Sequence, residues 1–158
     1  MLNFLGKPPI NPVLFYTGKI AGYLTVIILI LYFFGIKLSQ PFNSAFIIYF
    51  AYFLLAIGFI IVIISFLNLG KSTTVGIPIQ NTILKTKALY KYSRNPMYVG
   101  AHFLTLSSIL ITLNIYVIIL GIYSIIVYHF IILSEEKFLR KRFDKDYLAY
   151  YKRVKRYI

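Results

Sequence analysis

From residue 42 to residue 69 the chain carries no charged side chain and few polar ones. A helix needs about 20 apolar residues to cross a bilayer. Within hydrocarbon only a helix or a closed barrel can satisfy its own backbone. Three further stretches are also strongly apolar: 13–34, which carries only Lys19, 97–113 and 115–133. The whole chain agrees, being 59% hydrophobic with a mean hydropathy of +0.78. The expected fold is all-α: a polytopic membrane protein with about four transmembrane helices. The stretch 42–69 is longer than one crossing requires, so it can tilt or project. Stretches 97–113 and 115–133 meet at Asn114, which predicts a tight helical hairpin. With no internal repeat and no low-complexity linker, residues 1–158 are read as one domain.

The formal charge is +13, and its placement matters more than its size. Between the first two spans there is only Lys37, and the turn at Asn114 has no charge. Lys71, Lys85, Lys87, Lys91 and Arg94 lie between the second and third spans. Lys137, Arg140, Lys141, Arg142, Lys145, Lys152, Arg153, Lys155 and Arg156 follow the fourth. The positive-inside rule places both groups in the cytoplasm, with both termini. The cell membrane is the expected location. Lys7 agrees, and Lys19, near the start of the first span, can snorkel to the same side. Alongside long apolar spans, such an excess points to anionic membrane lipid rather than nucleic acid. The opening "MLNFLGKPPINPV" has Pro8, Pro9 and Pro12 where the apolar core of a signal peptide would lie. It reads as an interfacial lead-in.

No cysteine is present, and the two histidines, His102 and His129, are too few for a histidine-rich metal centre. No metal is expected. Both histidines are read as hydrogen-bonded packing residues, and Ser107 and Ser108 as helix-contact residues. The tail from Glu135 onward has helical periodicity. Phe138, Leu139, Phe143, Tyr147, Tyr150, Tyr151 and Val154 recur at spacings of three and four, opposite a basic face. A C-terminal amphipathic cytoplasmic helix is expected there.

All four acidic residues lie in this tail. Glu136 has Arg140 at i+4, Asp144 has Arg140 at i−4, and Asp146 has Arg142 at i−4. Such pairs stabilise a helix by ~0.2–0.5 kcal/mol each. Glu135 has no such partner. Its neighbours at three and four residues are Ile131, Ile132, Phe138 and Leu139. Either it simply reaches water at the end of the span, or it faces a cavity or partner, as embedded acids do. Arg94-Asn95-Pro96 likewise has an ordinary reading, as a positive anchor and a helix start. Tyr90 and Tyr98 on either side fit an interfacial aromatic belt. Yet the third–fourth hairpin must bring its two ends together, so Arg94, Asn95 and Glu135 can converge.

"LKTKALYKYSRNPMYVG", then a helical hairpin, then "EEKFLRKRFDKDYLAYYKRV", resembles the integral-membrane methyltransferases. That group includes isoprenylcysteine carboxyl methyltransferase and the phospholipid N-methyltransferases. Their pattern is a leucine and a tyrosine, Arg-His/Asn-Pro-x-Tyr, a hairpin, Glu-Glu, then F-G-x-x-Y-x-x-Y. Here it takes the form Leu84, Tyr90, Arg94-Asn95-Pro96-Met97-Tyr98, Glu135-Glu136 and Phe143-Asp144-Lys145-Asp146-Tyr147-Leu148-Ala149-Tyr150, over about the C-terminal half. The family often has glycine shortly before the tyrosine, where this chain has Ala88, and histidine before the leucine, where it has Thr82. The prenylcysteine enzymes carry an arginine one turn before the glutamates, where this chain has Ile131. That change tells against a prenylcysteine carboxylate substrate.

The resemblance implies S-adenosylmethionine (SAM) as methyl donor and a lipophilic, membrane-associated acceptor. It implies cofactor contacts from Thr82, Leu84, Tyr90, Asn95, Tyr98 and Glu135, and catalytic roles for Arg94 and Glu135. The residue types suit those roles. A carboxylate accepts from an ammonium or ribose hydroxyl, and an amide both donates and accepts. A tyrosine ring attracts a cation. A guanidinium can clamp a carboxylate or phosphate. Two other readings stand beside this one: a nicotinamide-dependent membrane reductase of sterol-reductase type, and a non-enzymatic basic protein that binds anionic lipid.

Overall fold

A computed structural model of the chain describes residues 6–36, 38, 44–70, 76 and 83–158. Among these residues there are four α-helices: α1 (Pro12–Phe33), α2 (Ala45–Leu69), α3 (Pro96–Thr112) and α4 (Ile115–Arg153). A 3-10 turn, Ala88–Lys91, precedes α3. Lys37, Lys71 and Thr82 lie outside the described residues.

The helix starts follow from local chemistry. The Asn11 side chain accepts from the Val13 amide at 2.9 Å, with Pro12 in the first turn, a standard N-terminal cap. Leu113 adopts a left-handed conformation (φ 43°) and Asn114 caps α4 through the Tyr116 amide at 3.0 Å. Two residues therefore make the expected hairpin.

α1, α2 and α4 are long and apolar enough to cross a bilayer. α3, with 17 residues, is at the short end of the usual ~17–25. The chain is an all-α integral membrane protein. Phe46, Phe53, Phe59 and Leu67 on α2 are exposed, as lipid-facing side chains are.

Small residues let the helices approach closely. A Cβ added at Gly58 would lie 3.0 Å from the Gly100 carbonyl oxygen, and one at Gly18 would collide with Val127. These contacts join α2 to α3 and α1 to α4. Ser107 donates to the Ala51 carbonyl at 2.8 Å and Ser108 to the Thr25 carbonyl at 2.7 Å, as helix-contact residues should. At the hairpin end Leu29, Ala51 and Ile111 cluster, and the Phe33 and Tyr52 rings lie 6.2 Å apart. There α1 meets α2. Toward the basic end a cavity runs between them.

The tail is helical, as expected, and α4 runs on past residue 133. It is interrupted at Asp144, which has φ 35° and ψ −109°. The amphipathic face is present, but it packs inward: Tyr147, Tyr150 and Val154 cluster with Leu84, Leu139 and Phe143. Beyond α4 the chain turns extended and forms a strap. Lys155 bridges to Ser93, its carbonyl accepts from the Arg94 amide at 2.9 Å, and the Tyr157 hydroxyl meets His129 Nδ1 at 2.6 Å.

Candidate active site

The hairpin does bring the two motifs together. α3 begins at Pro96, α4 passes Glu135 at the same end, and the strap closes over both. Two adjoining arrangements result.

The first is a charged knot on Glu136. Arg94 donates to it through Nε at 3.0 Å and Nη2 at 3.2 Å. Arg156 donates through Nε at 3.1 Å and Nη2 at 3.0 Å. Asn95 Nδ2 adds a bond at 3.0 Å. Glu136 is only 6% exposed. Burial by itself would raise its carboxyl, but the bonds and charges of Arg94 and Arg156 outweigh that and hold it below the usual range. The expected Glu136–Arg140 pair is not what forms. Arg140 lies over the Tyr151 ring, 5.7 Å from its centroid, while the long-range arginines take the carboxylate. Helical spacing misses this, because Arg94 and Arg156 reach Glu136 through tertiary structure.

Arg94 is fully engaged. Beyond Glu136, its Nη1 donates to the Tyr151 carbonyl at 3.2 Å and the Val154 carbonyl at 2.5 Å. Its guanidinium stacks 4.1 Å from the Tyr151 centroid. The fork that the sequence reading offered to an acceptor anion closes instead on protein groups. Asn95 occupies the N-cap position of α3 but does not cap it. Its amide is drawn to Glu136 and, at 3.2 Å, to the Arg156 carbonyl.

The second arrangement is a cavity of about 620 Å³, within the roughly 300–1,000 Å³ typical of ligand pockets. Leu84, Tyr90, Arg94, Asn95, Tyr98 and Glu135 all line it. Every sequence-predicted site residue is thus in its wall except Thr82, which is not among the described residues. Glu135 is partly buried and accepts from the Tyr98 hydroxyl at 3.0 Å. Burial is the main influence on it and pushes its carboxyl up to about 7, although the Tyr98 bond and the charge of Lys19 pull the other way. Just past the membrane-spanning part of α4, it is a carboxylate near neutrality without an arginine clamp.

Tyr147 and Tyr150 complete the polar wall, which the sequence reading missed as site residues. Their signal was the apolar face of the tail, read there as packing. Tyr150 donates to the Tyr90 carbonyl at 2.7 Å. The Tyr147 hydroxyl is buried beside Arg94 without a well-formed hydrogen bond among the described residues. Burial raises Tyr90 and Tyr147 above the ordinary tyrosine range, so both remain protonated donors. Away from this wall the lining turns apolar, with Val26 and Ile27 from α1 and Val62, Phe66 and Leu69 from α2.

No curated protein and no solved structure matches the chain. Residues 46–146 match the phospholipid methyltransferase family, and that segment contains all of α2 but its first residue, α3, the motif at Arg94, the glutamate pair and the bend at Asp144. Since the match covers more than half of its length, the chain belongs to the phospholipid methyltransferase family, a group of membrane methyltransferases.

Proposed function

We propose that this protein transfers a methyl group from SAM to a lipophilic acceptor, with a lipid amine the best fit. The observation that carries this reading is the single cavity wall that changes from apolar helix faces to the set Tyr90, Asn95, Tyr98, Glu135 and Tyr147. A headgroup and a hydrocarbon chain need those two surfaces side by side.

The polar wall suits SAM. Glu135 is the acceptor for an ammonium or ribose hydroxyl. Asn95 Oδ1 has no hydrogen bond among the described residues and so remains an acceptor. The Tyr147 hydroxyl remains a donor, and the Tyr90 and Tyr98 rings offer faces to a cation. Leu84 adds apolar contact. When bound, SAM supplies an electrophilic methyl carbon on a sulfonium. The protein's part is positioning and exclusion of water, which lower the barrier to a displacement at carbon. An acceptor ammonium must also lose a proton to become a nucleophile. Glu135, poised near neutrality, is suited to take it. Arg94 and Arg156 hold the frame through Glu136, and Arg94 acts as a positioning residue.

We also infer that the basic end faces the cytoplasm. Exposed Lys137, Lys141, Lys145 and Lys152 would meet anionic lipid there. Cysteines placed at Asn114 and at Lys145 should label from opposite sides, and same-side labelling would refute this topology.

Methyl-labelled SAM given to membranes containing the protein should leave label in a lipid, and Glu135→Gln should abolish that transfer. Label absent from every lipid, or transfer untouched by the substitution, would overturn the reading. Parallel titration of the solubilised protein with NADPH tests the reductase reading and should show no binding.

A further inference from the structure

Lys19 sits within α1, a helix that precedes the matched residues 46–146. Its position near the start of the first span predicts that it snorkels to the interface. In the structure its side chain lines the cavity. Its ammonium lies 5.0 Å from the centre of the Phe15 ring; it feels the charge of Glu135, but among the described residues it forms no salt bridge. A cation in a membrane helix is expensive unless it has a partner or reaches water.

Three basic side chains line this cavity: Lys19, Lys85 and Arg94. Arg94 is spent on Glu136 and two carbonyls. Lys85 lies on the segment before the 3-10 turn and is shared with an adjoining smaller cavity. Lys19 is placed differently. Tyr23 and Val26 follow it at four and seven residues, on the same face of α1, and both also line the cavity, with Ile27 beside them. Opposite, α2 contributes Val62, Phe66 and Leu69. The ammonium therefore stands at the head of an apolar trough, beside the chamber that holds Glu135. An amphiphile with its chain in the trough would put its headgroup at Lys19 and its outermost atoms at Glu135.

We propose that Lys19 selects the methyl acceptor by pairing with a phosphodiester in its headgroup, a few bonds from the atom that receives the methyl. This rests on the methyl-transfer reading for its second half only, because recognition of the phosphodiester needs no reaction. The bilayer supplies the lipid, and the α1–α2 side of the cavity receives its chain. A lone ammonium suits a phosphodiester as a point charge.

The test uses the full chain, purified in detergent, with the variants Lys19→Met and Lys19→Arg. Short-chain phosphatidylethanolamine is titrated without SAM to obtain equilibrium binding. Initial rates are then measured with that lipid and with a long-chain alkylamine lacking phosphate. Lys19→Met should weaken binding of the phospholipid about tenfold or more and raise its KM. Lys19→Arg should recover most of the loss. The alkylamine should respond far less, and SAM affinity should hold when it is measured at about pH 9, where Glu135 is ionised with or without the charge of Lys19. Equal losses with both acceptors, or a shift in SAM affinity, would make Lys19 a counter-charge for Glu135. Unchanged phospholipid binding would make it a lipid-facing anchor. Either result overturns the proposal. If the unsubstituted protein methylates neither amine, the methyl-transfer reading fails, while the binding titration still decides the role of Lys19.

Discussion

Glu135 and Glu136 are consecutive residues on α4, yet they belong to two different regions. Glu136 faces the strap and receives five hydrogen bonds from Arg94, Arg156 and Asn95. Glu135 faces the cavity and receives one, from Tyr98. One carboxylate is saturated by protein groups and the other is left with acceptor capacity. A rotation of about 100° along one helix separates a group that holds the frame from a group that can hold a ligand. Buried polar groups that are fully satisfied specify structure, while an embedded acid with spare capacity points to a binding site.

The largest effect should come from breaking the saturated side. Glu136→Gln leaves two arginines without their counter-charge. Loss of one partner from a buried pair costs about 3–5 kcal/mol. Denaturant or thermal unfolding in detergent should show the loss, and the protein that remains folded should still bind SAM. Arg94→Lys keeps the charge but not the fork, so stability and turnover should fall together. Turnover lost at unchanged stability would return Arg94 to the catalytic, acceptor-orienting role that the sequence suggested.

Next comes the unsaturated side. Glu135→Gln keeps the shape and removes the charge. The loss of a charged hydrogen bond, roughly 1.5–3 kcal/mol, should weaken SAM binding about tenfold to a hundredfold without lowering the unfolding midpoint. Comparable damage to SAM binding from the two glutamine variants would erase the distinction between the regions.

A smaller effect sharpens the same contrast through pH. The Glu135 carboxyl is raised to about 7 by burial, so it is largely neutral below that pH and anionic above it. Binding of a cationic ligand should strengthen as pH rises through 7 and level off beyond 8, with up to about tenfold change per unit below 7. The sign for stability is opposite. A raised folded-state value favours the ligand-free fold below the unfolded carboxyl pKa, and that benefit is lost as pH rises through 7. Glu135→Gln should therefore flatten the SAM profile and be more favourable to stability at pH 8 than at pH 5. A SAM profile unchanged in the variant would assign the titration elsewhere.

Much of this was legible from the chain itself. The spans were, because an unbroken apolar run has few alternatives, Pro96 marks a helix start and Asn114 marks the hairpin. Convergence of Arg94, Asn95 and Glu135 followed from the tight hairpin. The isolation of Glu135 followed from its apolar helical neighbours. What was hidden depends on the chain returning over long distances. Arg156 is 20 residues from Glu136, and nothing in local spacing announces the strap. Asn95 looked like a cap and is instead drawn into the knot. The inward packing of the tail was hidden as well, because an amphipathic pattern does not say what its apolar face packs against. Lys19 read as a snorkelling residue because the cavity beside it exists only once α1 and α2 diverge.

The smallest expected effects come from the frame, at two places where the chain departs from the family pattern it resembles. The family pattern has glycine where this chain has Asp144, and often has glycine near Ala88. Asp144 adopts φ 35° and Ala88 φ 53°, conformations that glycine enters freely and other residues enter at a cost. The bend at Asp144 turns the end of α4 back so that Tyr147 and Tyr150 wall the cavity. The positive φ at Ala88 starts the turn that sets Tyr90. Both backbones are thus bent as the site requires, with side chains that resist the bend. Glycine at each position should relieve the strain, and the gain is partly offset by the greater freedom glycine gives the unfolded chain. A net stabilisation of about 1 kcal/mol for Asp144→Gly is expected, and less for Ala88→Gly, since φ and ψ are both unusual at Asp144. SAM affinity should stay the same, because neither side chain lines the cavity. Unfolding midpoints and SAM titrations of the two variants and of the pair together provide the check. A lower midpoint for Asp144→Gly would mean that α4 does not bend there, and the Tyr147–Tyr150 wall would then have to be rebuilt on a straight helix.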